Sequence, residues 1–272
     1  MSDLVALILD REARARVTAG TRGVARVVFC ETVVEVHRAV ESAWSGGTRV
    51  GAVIVEPRDS AGAPCDALIA TLRRRAPAVP VLAYCSPTAS GSADILAAAR
   101  AGVSGLLLRG HDDVGIALRS ALASAGDDCA ARHIMRELGT VVPAGARPIV
   151  EHCVLHARSA LTVSGIARAL GVHRKTLVNR LAAARLPGPQ TVVGWSRLLL
   201  VGHALEEPGL PVERIALDFD FPSATALRNM LKRYTGLRPA EVRENGGLSC
   251  VLHLAKRALA PYVEQRASSP VG

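Results

Sequence analysis

Residues 162–184 read TVSGIARALGVHRKTLVNRLAAA and predict a helix, a tight turn and a second helix in one short stretch. Thr162 can cap the first helix, and Gly171 permits the left-handed turn that ends it. Apolar residues repeat at helical spacing on both sides of that turn, namely Val163, Ile166, Ala167 and Leu170, then Leu177, Leu181 and Ala184. This arrangement is a helix-turn-helix unit.

The pattern returns about fifty residues later, in 211–235 (PVERIALDFDFPSATALRNMLKRYT). Pro211 suits the first turn of a helix, and Ser223 can cap the helix that follows it. Residues 191–206 are long enough for one helix between the two units. The sequence therefore predicts one bilobed helical domain over 147–246, built from two helix-turn-helix units.

This domain resembles the AraC/XylS family of transcription factors. The second unit carries the more specific residues, which are Phe221-Pro222-Ser223, Leu227, Leu231-Lys232, Gly236-Leu237-Arg238-Pro239 and Arg243. Three features depart from the family pattern. Asp220 replaces the usual Gly, Leu227 and Leu231 stand where aromatic residues are common, and His173 replaces a Ser cap, so the second helix of the first unit is expected to be less well capped.

The resemblance implies that both second helices enter the major groove of double-stranded DNA. Side chains opposite the apolar stripes are then the candidates for contact. For base readout we expect Asn179, Arg228 and Asn229, and for phosphates Arg174, Arg180, Lys232 and Ser223; Lys175, Thr176 and Thr225 lie on the same faces.

The charge distribution favours the same half of the chain. Residues 1–144 hold 16 Arg and 15 Asp plus Glu, a net charge of +1, whereas residues 145–272 hold 17 Lys plus Arg and 9 Asp plus Glu, a net charge of +8. Such a concentration is typical of a domain that binds a polyanion. A solvated basic face in an arginine-rich protein is the alternative.

The first half predicts a different architecture. Five continuous apolar runs alternate with helical patterns, as expected for strands buried on both faces of a parallel sheet. The runs are 4–9, 24–30, 50–55, 80–85 and 103–108, and the helices are 11–19, 32–44, 65–76, 91–101 and 112–125. The predicted fold class is α/β plus all-α: a doubly wound five-stranded parallel sheet over 1–125, followed by the helical domain.

The polar residues that follow these strands are Asp10, Glu12, Glu56, Ser86 and Arg109. In layout they resemble the receiver domain of response regulators. That resemblance implies that Glu56 stands at the phosphoryl-acceptor position, that Arg11 interrupts the acidic pair, and that Arg109-Gly110 replaces a Lys-Pro. A longer acceptor side chain and a broken metal site impair phosphoryl transfer, which depends on positioning. We therefore expect a pseudo-receiver that is not phosphorylated. The alternative is that Glu56 and Arg109 form an ion pair that only stabilises the domain.

The remaining segments are a linker at 126–146, with room for a helical turn near 130–138, and a C-terminal helix and tail at 247–272. Residues 249–264 suggest an added helix that packs either on the domain or on a partner. The absence of a basic start and of a run of about 18 apolar residues argues against export and membrane insertion, and the six scattered cysteines favour a reduced cytoplasmic protein.

No cofactor or metal is expected. The turn after the first strand lacks the glycines of a dinucleotide site. The histidines and cysteines at 129, 133, 152, 153 and 156 have weak ligand spacing. With no nucleophile–base pair in the sequence, an enzyme is the least expected class.

Three interpretations remain. The leading one is a homodimeric DNA-binding transcription regulator whose pseudo-receiver supplies dimerisation or partner contact. The second is an adaptor with a weak, non-specific DNA anchor. The third is a regulator that senses a small molecule through its N-terminal domain.

Overall fold

The computed structural model describes residues 2–87, 91–207 and 209–259. They form two compact units, Met1–Ala130 and Ala131–Gly272, and the boundary between them falls within one helix. Among the described residues, no helix combines the length and the apolarity that a bilayer crossing requires.

The first unit is the predicted doubly wound α/β fold. Its five strands are all parallel and lie in the order β2-β1-β3-β4-β5, the order of flavodoxin-like sheets. The strands are β1 Ser2–Leu7, β2 Ala25–Cys30, β3 Val50–Val55, β4 Val81–Cys85 and β5 Gly105–Leu108; the helices are α1 Arg11–Gly20, α2 Val33–Ser45, α3 Asp66–Arg75, α4 Gly91–Ala101 and α5 Gly115–Leu138.

The continuous apolar runs are explained by burial on both faces of the sheet. Successive residues of a strand point to opposite faces. Accordingly, Leu4 and Ala6 pack in the core on one side, and Val5 and Leu7 pack in the core on the other. The predicted fold class is confirmed for this unit.

Helix α5 extends into the segment for which the sequence predicts a linker. Its last turns bury Ala130, Ile134 and Leu138 at a spacing of four residues, together with Cys129. This apolar stripe outweighs the Gly-Asp-Asp break at 126–128, so the chain leaves the helix only after residue 138. A short 3-10 turn at Ala144–Ala146 then leads into the next helix.

The second unit is helical, as predicted. Its helices are α6 Arg147–Leu155, α7 Val163–Ala169, α8 Arg174–Ala183, α9 Pro189–Leu205, α10 Val212–Asp218, α11 Ala224–Thr235, α12 Pro239–Glu244 and α13 Leu248–Leu259. Helix α9 is the connecting helix of the sequence analysis, and it contacts α6, α8, α10, α11, α12 and α13. Both helix-turn-helix units therefore pack on one central helix.

The C-terminal helix packs on its own domain. Leu248, Val251, Leu252 and Ala255 are buried, and α13 lies against α9. Of the two alternatives for this helix, packing on the domain is the one observed up to Leu259; residues 260–264 lie outside the described residues.

The first helix of each unit ends in the same hydrogen-bonded turn. After α7, Val172 N–H donates to the carbonyl of Ala167 (2.9 Å), and after α10, Phe221 N–H donates to the carbonyl of Ala216 (2.8 Å). This is the Schellman motif, whose central residue needs a positive φ. That residue is Gly171 in the first unit (φ 62°) and Asp220 in the second (φ 53°).

The left-handed backbone at Asp220 generates a stability prediction. Asp220→Gly should raise the free energy of unfolding by about 0.5 kcal/mol, because glycine adopts this conformation without a Cβ clash. Asp220→Ala should lower it by about the same amount, and Gly171→Ala should lower it by about 1 kcal/mol. Urea unfolding of the wild type and the three variants checks this order; an Asp220→Gly protein as unstable as Asp220→Ala would contradict it.

Candidate functional site

The second helix of the first helix-turn-helix unit begins at a histidine cap. Lys175 N–H donates to Nδ1 of His173 (3.2 Å), and Gly165 N–H donates to Oγ1 of Thr162 at the start of α7 (3.0 Å). The Thr162 cap is as predicted. His173 thus caps α8 through a ring nitrogen in place of the usual Ser oxygen, with a longer hydrogen bond than that of Thr162.

Helix α8 buries one stripe and exposes the other. Leu177 and Leu181 are almost fully buried against the domain. The five candidates on this helix are all exposed: Arg174, Lys175, Thr176, Asn179 and Arg180. Among the described residues, none of these five forms an ion pair, so their donors face solvent.

Helix α11 repeats this arrangement. Ser223 caps it by accepting a hydrogen bond from the N–H of Ala226 (3.1 Å), as predicted, and Leu227 and Leu231 are buried. The five candidates here are also exposed: Ser223, Thr225, Arg228, Asn229 and Lys232. Arg228 differs from the rest, since its Nη2 contacts Oε1 of Glu213 on α10 at 2.6 Å.

Two half-buried arginines join segments of this unit. Arg243, the last residue of the sequence motif, donates from Nη2 to the carbonyl of Leu210 (2.7 Å) and so joins α12 to the segment before α10. Arg197 on α9 donates to the carbonyl of Phe219, and its guanidinium lies 4.1 Å from the centroid of the Phe221 ring. Burial lowers the pKa of Arg197. The sequence analysis missed Arg197, whose only signal was a cation inside an apolar helix.

Glycine on α9 allows a close contact with α11. A Cβ on Gly194 would lie 2.2 Å from the hydroxyl of Tyr234, whose ring also meets Trp195 edge to face at 5.3 Å between centroids. A Cβ at position 194 would require the Tyr234 side chain to shift, so glycine here allows the close approach of α11 to α9.

Three of the five candidate residues of the first unit, Glu56, Ser86 and Arg109, line one cleft, and Asp10 and Glu12 are not among its lining residues. Glu56 and Arg109 are paired at 2.7 Å at the ends of β3 and β5, as the sequence analysis expected in one of its alternatives. Asp10 instead caps α1 by accepting from the N–H of Ala13 (2.7 Å). Glu12 is exposed and pairs with Arg16 one turn further along α1 (2.8 Å).

Burial is the largest effect on the pKa of Glu56 and raises it. The Arg109 guanidinium and a hydrogen bond from the Leu9 backbone oppose this, and the net change is a rise above the ordinary value. Arg109 also lies 5.3 Å from the centroid of the Tyr84 ring. The Nε of Arg109 is buried and has no hydrogen-bond partner among the described residues.

A cleft of about 500 Å³ opens beside this pair. Its wall includes the loop after β3 and the end of β4, where Ser86 is half-buried. The lining residues are Leu9, Glu56, Pro57, Arg58, Asp59, Ser60, Gly62, Tyr84, Cys85, Ser86, Asp94 and Arg109. The cleft lies at the carboxyl ends of the strands, where doubly wound sheets bind ligands.

A buried carboxylate that the sequence analysis missed lies next to this region. Asp113 is fully buried and accepts from the Tyr84 hydroxyl, from Nε of Arg16 (2.9 Å) and from the N–H of Gly110 (3.0 Å). Burial alone would raise the pKa of Asp113, but the hydrogen bonds from Tyr84 and Arg16 bring it below its ordinary value. Burial, with the Asp113 contact, raises the pKa of Tyr84 to about 12.

No group of three or more His, Cys, Asp or Glu side chains that could hold a metal ion occurs within 2–87, 91–207 and 209–259. The side chains of His152 and His156 stack on each other instead, with ring centroids 4.2 Å apart.

Comparison with known proteins identifies the helical unit. Residues 166–245 match the family described as a helix-turn-helix domain. None of the curated proteins compared with the chain matches it.

Solved structures with a similar course include a DNA-binding transcriptional dual regulator from Escherichia coli K-12, which is 16% identical over 38% of this chain and 93% of its own, with a TM-score of 0.35. An adenylate cyclase from Rhodopirellula baltica is 13% identical over 51% and 97%, with a TM-score of 0.41. Full-length FixJ from B. japonicum is 14% identical over 87% and 98%, with a TM-score of 0.35.

The Asp113 network generates a prediction about acid stability. Asp113→Asn should lower the free energy of unfolding by about 1–3 kcal/mol at pH 7, because a buried charged acceptor of three hydrogen bonds is lost. A carboxylate with a lowered pKa stabilises the folded state above its unfolded-state pKa, and this contribution disappears as pH falls through the lower, folded value. The gap between the two proteins should therefore close below pH 3.8, the ordinary value for aspartate.

Urea unfolding at a series of pH values measures this gap. Glu12→Gln is the matched control, since it removes an exposed carboxylate from the same Arg16 and should change stability little at any pH. A constant gap between wild type and Asp113→Asn down to pH 2 would contradict the prediction.

Proposed function

We propose that this protein is a sequence-specific DNA-binding regulator of transcription rather than an enzyme, and that α8 and α11 enter successive major grooves on one face of the duplex. One observation carries the proposal: two capped helices, packed on the same central helix, both present their polar candidates to solvent. The charge of +8 over 145–272 supports it, since a basic surface attracts the phosphate backbone.

The candidate side chains divide into two roles in this proposal. Asn179, Arg228 and Asn229 read base edges, because amide and guanidinium groups match the donor and acceptor patterns of the major groove. Phosphate contacts come from Arg174, Arg180, Lys232 and Ser223, with Lys175, Thr176 and Thr225 beside them. The Ser223 hydroxyl accepts the cap hydrogen bond and keeps its own proton for a phosphate oxygen.

The first unit, 1–125 in this scheme, acts as a pseudo-receiver that supplies dimerisation or a partner contact in the cytoplasm. Three contacts support this role. Arg109 forms an ion pair with the carboxylate of Glu56, and Asp10 caps α1. Glu12 is exposed and forms an ion pair with Arg16. Each residue that corresponds to a phosphorylation site therefore has a different partner within the domain.

A phosphoryl-transfer test follows from these contacts. Incubation with Mg²⁺ and acetyl phosphate should leave the mass of the intact protein and its DNA affinity unchanged, because the carboxylates that would hold the metal are engaged in separate contacts. Intact-mass spectrometry checks this. A stable phosphoryl adduct on Glu56 or Asp10 would contradict the pseudo-receiver proposal.

A second candidate function is the sensing of a small molecule in the cleft beside Glu56 and Arg109. The observation that favours it is the buried Nε–H of Arg109, which has no acceptor among the described residues and could donate to a ligand oxygen. Such a ligand would raise the melting temperature with increasing concentration. Native mass spectrometry of protein isolated from its host would detect a bound compound, and Arg109→Ala should lose it.

The DNA-binding proposal is tested by selecting bound duplexes from a randomised pool at two salt concentrations. Phosphate attraction falls steeply with salt, whereas base readout persists. An enriched motif that survives the higher salt supports a sequence-specific regulator, and a paired motif supports a dimer. Binding without a motif, lost at higher salt, would overturn the proposal and favour the adaptor with a general DNA anchor.

The two charged residues of α11 should respond differently on the enriched duplex. Arg228→Ala should cost about 1–3 kcal/mol of discrimination at one base pair. Lys232→Ala should weaken binding to all sequences alike and reduce the slope of affinity against salt by about one. Fluorescence anisotropy with single-base-pair variants measures both, and equal effects from the two substitutions would contradict the assigned roles.

A further inference from the structure

The ion pair between Glu213 and Arg228 joins the two helices of the second helix-turn-helix unit. Oε1 of Glu213 on α10 lies 2.6 Å from Nη2 of Arg228 on α11. Both side chains are largely exposed, 66% and 45% respectively. An ion pair between such exposed groups contributes little to the stability of the fold. Its main effect is therefore on the position of the Arg228 guanidinium.

Arg228 is distinct among the cationic candidates of α8 and α11. The others are Arg174, Lys175, Arg180 and Lys232, and in the described part of the chain none of these has a carboxylate partner. A mobile cation suits a phosphate, which offers acceptors in several directions. A guanine edge offers its two acceptors, O6 and N7, in one plane. A guanidinium donates to both of them only when it is held in that plane.

The contact leaves the guanidinium able to read a base. A guanidinium has five N–H donors in a planar fork, and the Glu213 contact involves the Nη2 corner. Guanine presents O6 and N7 side by side and is met by two parallel N–H groups. Holding one corner of the fork restricts the rotation of a long side chain before DNA arrives, so less conformational freedom is lost on binding.

We propose that Glu213 is a positioning residue that orients Arg228 toward a guanine in the major groove. This inference rests on the proposed function, in which α11 enters that groove. Glu213 should therefore have two opposite effects on DNA binding. The carboxylate on a surface that faces phosphates lowers affinity for every sequence, and its hold on Arg228 raises discrimination at one base pair.

The test compares Glu213→Gln with wild type in the full-length protein, on the enriched duplex and on all single-base-pair variants of it. Glu213→Gln should bind non-specific duplex at least as tightly as wild type. Its discrimination should fall about tenfold at one G·C pair, the pair at which Arg228→Ala also loses discrimination. In the Arg228→Ala background, Glu213→Gln should cause no further loss at that pair.

Asp218→Asn provides the matched control. Asp218 is on the same helix and pairs with Arg214 at 3.0 Å, so this variant removes one negative charge from α10 without touching Arg228. It should raise affinity for all duplexes and leave discrimination unchanged. Circular dichroism of each variant verifies that the fold is retained.

The outcomes separate this inference from the proposed function. If wild type enriches no motif, the proposed function fails. If wild type and Arg228→Ala behave as expected but Glu213→Gln changes affinity uniformly, as Asp218→Asn does, the positioning role is refuted while the proposed function stands. Loss of discrimination at several unrelated pairs would also refute it.

Discussion

The burial of α9 is the constraint on which the helical unit depends. Val192, Trp195, Leu198 and Val201 are buried, and the helix is covered on most sides by its neighbours. Two glycines let those neighbours approach closely: Gly194 faces the ring of Tyr234, and Gly202 lies against the backbone at the start of α13. Because α8 and α11 both pack on this helix, the separation of their exposed faces is set by close-packed contacts rather than by a loop.

Two half-buried arginines tie the segments around α10 to the rest of the unit. Arg197 donates to a backbone carbonyl at the turn after α10, and Arg243 donates to one before α10. These contacts fix the segments that carry α10 and α11. Among the cationic candidates of α8 and α11 in the described part of the chain, Arg228 alone has a carboxylate partner within the unit.

The first unit has a receiver-like sheet whose strand ends carry two sets of paired charges. Glu56 is held by Arg109, while Tyr84, Arg16 and Asp113 form a second network at the same edge. Buried charges of this kind are costly unless each is paired, and here each has a partner.

The sequence predicted most of this fold because its signals were periodic and local. The five apolar runs, the helix-turn-helix stripes and the caps at Thr162 and Ser223 each depend on residues a few positions apart. It did not predict the Asp113 network or the role of Arg197, since these join residues far apart in the chain and no local pattern indicates them. It also placed the linker too early, because Gly126 and its acidic neighbours suggested a break that the buried stripe of α5 overrides.

We propose that one close-packed helical unit presents α8 and α11 to successive major grooves of DNA. Protection of guanine N7 from methylation on the enriched duplex tests this proposal, because N7 lies in the major groove. Two protected clusters about 10 base pairs apart on one face of the duplex are expected for each copy bound. A single cluster per copy, or protection without this spacing, would contradict it.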